Sequence, residues 1–293
     1  MKKFFVKSAV FLLFPILYFG INMIINHYLF AHQEVKMEKK RVMIAGDSHA
    51  MKGLDPHYFS NAVNIAQTAE PYVLTYWKLK KIFRTVVPDT LILSCSPHNI
   101  SDFNDTKFSN DNWSTEMFRR CYPIQELDVV SKYVAVDYKA YYKVLWKQTA
   151  FYPKKNHIIY IGHYTNTTKS TFADYDSTVK RHFYQQGKPS GVSMLAIQYL
   201  DSIIQLCATK KTEVILTGTP LHPSYVAAIP SGILNRYNEL LQRYSHNHFV
   251  YNQTTVNYPD SLYLNCDHLN EHGARRFTKE IIEALKNGRS GTK

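Results

Sequence analysis

Cysteine is scarce in this chain of 293 residues, and no CxxC pair occurs among its four cysteines: Cys95, Cys121, Cys207 and Cys266. Zinc sites built on such pairs are therefore excluded. Disulfides remain possible in an exported domain, while four buried thiols fit the wide spacing equally well. The composition, 45% hydrophobic and 20% charged, excludes collagen, coiled coil and a wholly disordered chain.

Acidic residues are also few: 23 stand against 35 Lys and Arg, which gives a formal net charge of +12. Most of the excess lies at the two ends of the chain, in residues 1–41 and 286–293. The long stretch between them is close to charge balance, which gives little support for nucleic-acid binding. We therefore expect no nucleic-acid partner.

The longest apolar run lies near the start, where residues 8–30 contain no Lys, Arg, Asp or Glu. A helix of this length crosses roughly 30 Å of hydrocarbon. The run is long for a cleaved signal peptide, and no clean small-residue cleavage pair follows it. We predict an uncleaved single-pass anchor and linker over residues 1–40, with the rest of the chain on the periplasmic or extracellular face. Positive charges on both sides of the run leave the orientation undecided by charge alone.

Short apolar runs alternate with amphipathic segments along the rest of the chain. They predict strands at 42–45, 62–67, 90–95, 213–220 and 248–253, and helices at 70–86, 127–146, 193–208, 233–244 and 270–285. This alternation predicts an α/β fold with a mostly parallel sheet and helices on both faces. In such folds the chemistry lies at the carboxyl ends of the strands.

Polar side chains follow several of these predicted strands. Gly46-Asp47-Ser48-His49 follows the first strand, His98 and Asn99 follow the third, His222 follows the fourth, and His268 precedes the last helix. If the strands are parallel neighbours, these side chains meet at one edge of the sheet. A serine nucleophile, a histidine base and amide hydrogen-bond donors are the groups that acyl transfer requires. The structural alternative for Ser48 is that it only caps the following helix.

The sequence GDSHA after an apolar strand, with DHLNEHGA near the end, resembles the SGNH (GDSL-type) hydrolase superfamily. The resemblance covers most of residues 41–285 and implies a three-layer, flavodoxin-like fold. It places the nucleophile on Ser48 and the proton acceptor on His268. Because matching blocks flank residues 100–190, we expect that segment to be an insertion or cap within one domain, followed by a basic tail, 286–293.

The resemblance also implies an oxyanion hole made by the backbone N–H groups of Ser48 and Ala69. Ala69 stands where the family has a glycine, and a side-chain donor is expected from His98 or Asn99. Two further residues are predicted to contribute to substrate binding: Asn64 and His222.

The sequence leaves the third member of the catalytic set open. The family's acidic position holds Asn265, whereas Asp267 directly precedes His268. We predict that Asp267 is the acidic partner of His268, which requires a bend in the chain. Asn265 could hold the ring without supplying charge, Asp267 could instead cap the last helix, and a Ser–His dyad is a further alternative. The nearby histidines lie at no metal-ligand spacing, so neither a metal nor another cofactor is expected.

An anchored domain of this kind is similar to two exported groups. One comprises accessory proteins that transfer acyl groups to envelope polymers beside a multi-pass membrane acyltransferase, and the other comprises esterases that deacylate glycans. We therefore expect an exported serine esterase or O-acyltransferase acting on acyl esters of cell-envelope glycans. A non-catalytic binding or assembly factor is the alternative, favoured by Asn265 and Ala69.

Overall fold

The centre of the computed structural model, which describes residues 1–122, 124–151, 158–170 and 175–290, is a five-stranded parallel sheet. Its strand order is β2-β1-β3-β6-β7, and the strands are β1 Val42–Ala45, β2 Ala62–Asn64, β3 Thr90–Ser94, β6 Glu213–Gly218 and β7 Phe249–Asn252. A separate antiparallel pair joins β4 Tyr184–Gln185 to β5 Lys188–Pro189. The order is flavodoxin-like, with a crevice between β1 and β3. The predicted α/β class is confirmed.

Helices cover both faces of this sheet. The first six are α1 Lys2–His32, α2 Ser48–Gly53, α3 Tyr72–Ile82, α4 Phe103–Thr106, α5 Asp111–Cys121 and α6 Leu127–Val130. The others are α7 Tyr138–Thr149, α8 Tyr175–Phe183, α9 Met194–Thr209, α10 Pro223–Ala227, α11 Ser231–Ser245 and α12 Glu271–Ser290. Short 3-10 turns occur at Pro56–Tyr58, Pro97–Ile100 and Asp260–Leu262.

The two faces of the sheet bury different apolar clusters, because side chains alternate along each strand. Met43 and Leu91 pack into the larger cluster, which includes Trp77 of α3 and residues of α9 and α11. Ile44 and Ile92 pack into the smaller cluster with residues of α2 and α12. Three layers result, and the strand ends between them are left for polar side chains.

The predicted helix at 127–146 is wrong in extent. The chain forms α6, turns, and begins α7 at Tyr138. Asp137 explains the new start, because its carboxylate accepts a hydrogen bond from the backbone N–H of Ala140 at 2.9 Å. The last helix also runs further than predicted, so that residues 286–290 of the expected basic tail are helical; residues 291–293 lie outside the described residues.

The segment 100–190 contributes buried side chains to the larger cluster, among them Phe108, Phe118 and Phe183. These residues therefore pack on the same core as Trp77. Residues 152–157 and 171–174 of this segment lie outside the described part of the chain. The four cysteines are buried, and no disulfide joins them.

Helix α1 is long and apolar enough to cross a membrane. Its first half is exposed, whereas Asn22, Asn26 and Phe30 are buried. Asn26 Nδ2 donates hydrogen bonds to the carbonyl oxygens of Thr149 at 2.8 Å and Phe151 at 2.9 Å. The second half of α1 is thus fastened to the domain beside α7.

Candidate active site

The turn after β1 brings Ser48 to the edge of the sheet. Gly46 has φ +125°, and a Cβ atom there would lie 2.3 Å from Ser94 Oγ, so a side chain at this position would clash with β3. Asp47 caps α2, since its Oδ1 accepts from the backbone N–H of His49 at 3.0 Å. Ser48 therefore does not cap the helix, and its hydroxyl is available for another partner.

That partner is His268, in the turn that precedes α12. Ser48 Oγ lies 2.7 Å from His268 Nε2, the predicted nucleophile–base contact across 220 residues of sequence. The distance suits transfer of the hydroxyl proton to the imidazole.

Two side chains approach the other nitrogen of His268. Asn265 Oδ1 lies 3.0 Å from Nδ1 in hydrogen-bond alignment and also accepts the backbone N–H of His268 at 2.8 Å. Asp267 Oδ1 lies 2.9 Å from the same nitrogen, but neither carboxylate oxygen of Asp267 has an aligned donor in the described part of the chain. The chain bends so that Asp267 reaches His268, as predicted, and both Asp267 and Asn265 contact Nδ1 of that ring.

Asp267 is fully buried. Burial by itself raises the pKa of this carboxyl group, but the adjacent imidazole of His268, with those of His49 and His182, outweighs burial and holds the pKa below its ordinary value. Asp267 is therefore a carboxylate beside the base, as stabilisation of an imidazolium requires.

Asp47 gathers a second group of donors beneath the nucleophile. Its Oδ2 lies 2.5 Å from His98 Nε2 and accepts from Asn99 Nδ2 at 2.8 Å, while its Oδ1 accepts from Ser94 Oγ at 3.1 Å. A buried carboxylate needs such donors to offset its lost hydration. Asn99 Nδ2 and His98 Nε2 thus face Asp47, whereas His98 Nδ1 has no hydrogen-bond partner in the described part of the chain, and His98 lines the cavity beside Ser48. The side-chain oxyanion donor expected from His98 or Asn99 stays a prediction.

Four imidazoles form a row beside these two carboxylates. Ring centroids are 4.7 Å apart for His268 and His49, 4.2 Å for His49 and His98, and 5.0 Å for His98 and His182. Burial, together with His49, lowers the pKa of His98 to about 4, although Asp47 opposes the change. Burial also opposes protonation of His49, but Asp47, with help from Asp267, raises its pKa overall. Of the three rings His49, His98 and His182, only His49, which lies between the two carboxylates, has a raised pKa.

The predicted backbone oxyanion donors, Ser48 and Ala69, line one cavity beside the nucleophile. Ala69 has φ +56°, the left-handed conformation that glycine adopts without strain. An alanine at a glycine position thus keeps the backbone conformation that glycine would supply.

The two predicted substrate-binding residues do not line this cavity. Asn64 is buried, and its Nδ2 donates to the carbonyl oxygens of Ala50 and Leu54, each at 2.9 Å, so it ties β2 to α2. His222 caps α10, with its Nδ1 2.6 Å from Ser224 Oγ. Each side chain is thus engaged in backbone or turn contacts outside this cavity, and a contribution of either residue to substrate binding stays a prediction.

The cavity beside Ser48 has a volume of about 170 Å³. Its lining includes residues that the sequence analysis missed: Phe103, Lys107, Trp113, Arg181 and His182. All belong to the segment 100–190, which carries no motif. Of the other polar residues around Ser48, only Asp47 and His49 could be anticipated from the sequence, because they are its direct neighbours.

Two groups of side chains bring possible metal-ligating atoms within 4.8 Å of one another: Asp47, His49 and His98, and His49, Asp267 and His268. A ligated ion lies near the plane of each imidazole ring. His49 and His268 are instead stacked, with planes 27° apart, which fits poorly with one ion shared by both rings. The carboxylates beside them account for the cluster through charge and hydrogen bonding.

No protein-family model matches the sequence, and no curated protein matches it. Among solved structures, the chain is similar to a GDSL-like lipase from Bacteroides thetaiotaomicron at 12% identity and a TM-score of 0.41, covering 90% of this chain and 98% of that one. It is also similar to an acetyl xylan esterase from the rumen bacterium Butyrivibrio proteoclasticus at 12% identity and a TM-score of 0.33, covering 89% and 67%. Similarity at 12% identity does not assign a function to this chain.

Proposed function

We propose that this chain is an SGNH-type serine esterase that works through an acyl-enzyme on Ser48. The observation that carries the proposal is the 2.7 Å contact between Ser48 Oγ and His268 Nε2 at the carboxyl edge of β1. A carboxylate, Asp267, lies 2.9 Å from the other ring nitrogen of His268. A binding or assembly factor has no need of this aligned arrangement, so the geometry favours catalysis.

The reaction proceeds in two steps. His268 Nε2 takes the proton of Ser48 as Oγ bonds to the ester carbonyl carbon, and the backbone N–H groups of Ser48 and Ala69 stabilise the oxyanion. The C–O bond to the alcohol then breaks, and the alcohol leaves with the proton from His268. In the second step His268 deprotonates water, or a sugar hydroxyl in a transferase, which attacks the acyl-enzyme and releases Ser48.

The cellular setting is part of the same proposal. Helix α1 is retained as a single-pass anchor, the domain lies outside the cytoplasm, and the substrate is an acyl ester of a cell-envelope glycan. The contacts of Asn26 with residues 149 and 151 support retention, because cleavage after α1 would remove a buried polar contact of the domain. A multi-pass membrane acyltransferase as partner would make the chain a transferase instead of a hydrolase.

Labelling with a fluorophosphonate probe tests the catalytic proposal. Purified full-length protein in detergent should be labelled and should hydrolyse 4-nitrophenyl butyrate. Ser48→Ala should abolish both, and His268→Ala should slow both strongly, with melting temperatures close to that of the parent. Ser60→Ala, at an exposed serine away from the site, is the matched control. Labelling that persists in Ser48→Ala would contradict the assignment of the nucleophile.

A further inference from the structure

Lys107 is a buried amine in the wall of the cavity beside Ser48. Its side chain belongs to a residue that is 3% exposed, and Nζ donates to the carbonyl oxygen of Ala69 at 3.0 Å and to Asn104 Oδ1 at 2.8 Å. Both acceptors are neutral, and an ammonium has three N–H donors. In the described ranges no carboxylate lies within ion-pair distance of this amine, so its charge has no direct counter-ion.

Arg181 supplies a second cation to the same cavity from α8. Its Nη2 has a long contact of 3.4 Å with Thr178 Oγ1, and no ion pair of Arg181 is found in the part of the chain that the structure describes. A guanidinium with open donors is suited to bidentate binding of carboxylate or phosphate oxygens.

Aromatic rings close the cavity around Lys107. Nζ lies 4.7 Å from the ring centroid of Phe103 and 6.0 Å from that of Trp113. This enclosure is costly for an unpaired ammonium. Accordingly, burial lowers the pKa of Lys107 to about 7; Asp47 opposes the change, and Arg120 and Arg181 add to it. An anion in the cavity would offset the cost of burying the ammonium and would raise the pKa of Lys107.

We propose that this cavity binds an anionic group of the ester substrate, a carboxylate or a phosphate, through Lys107 and Arg181. The inference rests on the proposed esterase function and names a class of substrate for it. Lys107 donates to the carbonyl oxygen of Ala69, whose backbone N–H is a proposed oxyanion donor, so the anion lies close to the acyl group being transferred. The anion belongs either to the acyl group or to the alcohol portion, since both meet at Ser48.

Paired substrates distinguish these two sources in the full-length protein. For an anionic acyl group, mono-4-nitrophenyl succinate is compared with 4-nitrophenyl butyrate; for an anionic alcohol, 4-acetoxybenzoate is compared with 4-acetoxybenzamide. We expect kcat/KM to favour the anionic member of one pair. Arg181→Gln and Lys107→Met should each lower that preference about tenfold, the loss expected for one charged hydrogen bond. Lys180→Gln, its exposed neighbour on α8, should leave the preference unchanged.

Binding to the inactive Ser48→Ala protein separates this inference from the proposed function. Calorimetry with succinate, 4-hydroxybenzoate and inorganic phosphate should show binding of at least one anion, with proton uptake near pH 8 as Lys107 becomes protonated. Arg181→Gln in this background should weaken binding about tenfold. Anion binding by the Ser48→Ala protein, with no ester cleavage by the unmodified protein, would contradict the proposed esterase function and support the anion site. Cleavage without preference for either anionic substrate, or an equal loss in Lys180→Gln, would overturn the anion site and keep the esterase.

Discussion

Asn265 and Asp267 compete for Nδ1 of His268, at 3.0 Å and 2.9 Å. Their chemistry differs: an amide oxygen holds the ring and selects its tautomer, whereas a carboxylate also stabilises the imidazolium that forms when Ser48 loses its proton. In addition, Asn265 accepts the backbone N–H groups of residues 267 and 268, so it shapes the turn that presents the base. Asn265 is thus suited to positioning and Asp267 to charge.

Replacing each of these residues separates the two roles. Asp267→Asn should lower kcat for 4-nitrophenyl butyrate roughly 10²-fold or more with the fold intact, because the imidazolium loses its counter-charge. Asn265→Ala should mainly lower stability, by about 1 kcal/mol, since the backbone N–H groups of the turn lose their acceptor. The measurements are steady-state kinetics and urea unfolding. If Asp267→Asn retains full turnover per folded molecule, the site is a Ser–His dyad.

Ala69 provides a second prediction at the scale of one residue. Its φ of +56° costs an alanine about 1 kcal/mol relative to glycine. Ala69→Gly should therefore raise the free energy of unfolding by up to about 1 kcal/mol and keep the N–H donor in place. Asn61→Gly, at φ +60°, is the control, since asparagine tolerates this conformation and the gain should be smaller. A loss of stability in Ala69→Gly would show that the methyl group packs usefully.

At the scale of elements, α1 and α7 form a joint surface. Tyr138, Tyr142 and Trp146 recur every four residues along α7 and remain exposed, and the ring of Trp146 lies 4.9 Å from that of Phe19 in α1. Exposed aromatics beside an anchor helix are typical of the interface between a bilayer and water. With α1 as the anchor proposed above, this arrangement would place α7 against the membrane.

Fluorescence of the full-length protein in vesicles tests this placement. Brominated lipids should quench tryptophan emission, and Trp146→Phe should remove most of the lipid-dependent quenching, because Trp77 is only 1% exposed. Trp113→Phe, at the catalytic cavity, should leave the quenching largely unchanged. Undiminished quenching in Trp146→Phe would mean that α7 faces water.

At the scale of the whole molecule, the buried imidazoles couple folding to pH. His98 has an ordinary pKa of 6.5, which burial and His49 lower to about 4 in the folded chain. Between these values only the unfolded chain binds this proton, so stability falls as pH falls from about 6.5 to 4. Asp47 and Asp267 have lowered pKa values in the folded chain, so their carboxylates keep stabilising the fold until pH falls below about 3.8. His49, with a raised pKa, contributes fully below 6.5 and loses its contribution only above that value.

The expected result is a loss of stability on acidification from pH 6.5 to 4 that is smaller in His98→Gln. Glutamine keeps a donor for Asp47 and does not titrate. Thermal unfolding of both proteins across this range measures the slope, and His182, whose pKa burial and His98 also lower, accounts for a residual slope in the variant. Parallel pH profiles for the two proteins would contradict a buried neutral His98.

Much of this protein follows from its sequence alone. The apolar runs at 42–45 and 90–95 specify buried parallel strands, because only a sheet covered on both faces accepts continuous apolar segments. GDSHA and DHLNEHGA then locate Ser48 and His268, since chemistry in this fold lies just after a strand or before a helix. The bend that brings Asp267 to His268 also followed from the approaching helix.

Only the tertiary structure decided the remaining partners. Asp47 contacts His98 and Asn99 across 51 and 52 residues of sequence, and no motif predicts those contacts. Lys107 and Arg181 reach the cavity from a segment without any motif. Asn64 instead donates to backbone carbonyl oxygens and His222 contacts Ser224 Oγ, so neither lines the cavity. Local sequence patterns indicate which face of a helix or strand is buried. Hydrogen bonds between residues distant in sequence depend instead on the paths of the loops, which neither periodicity nor motif spacing specifies.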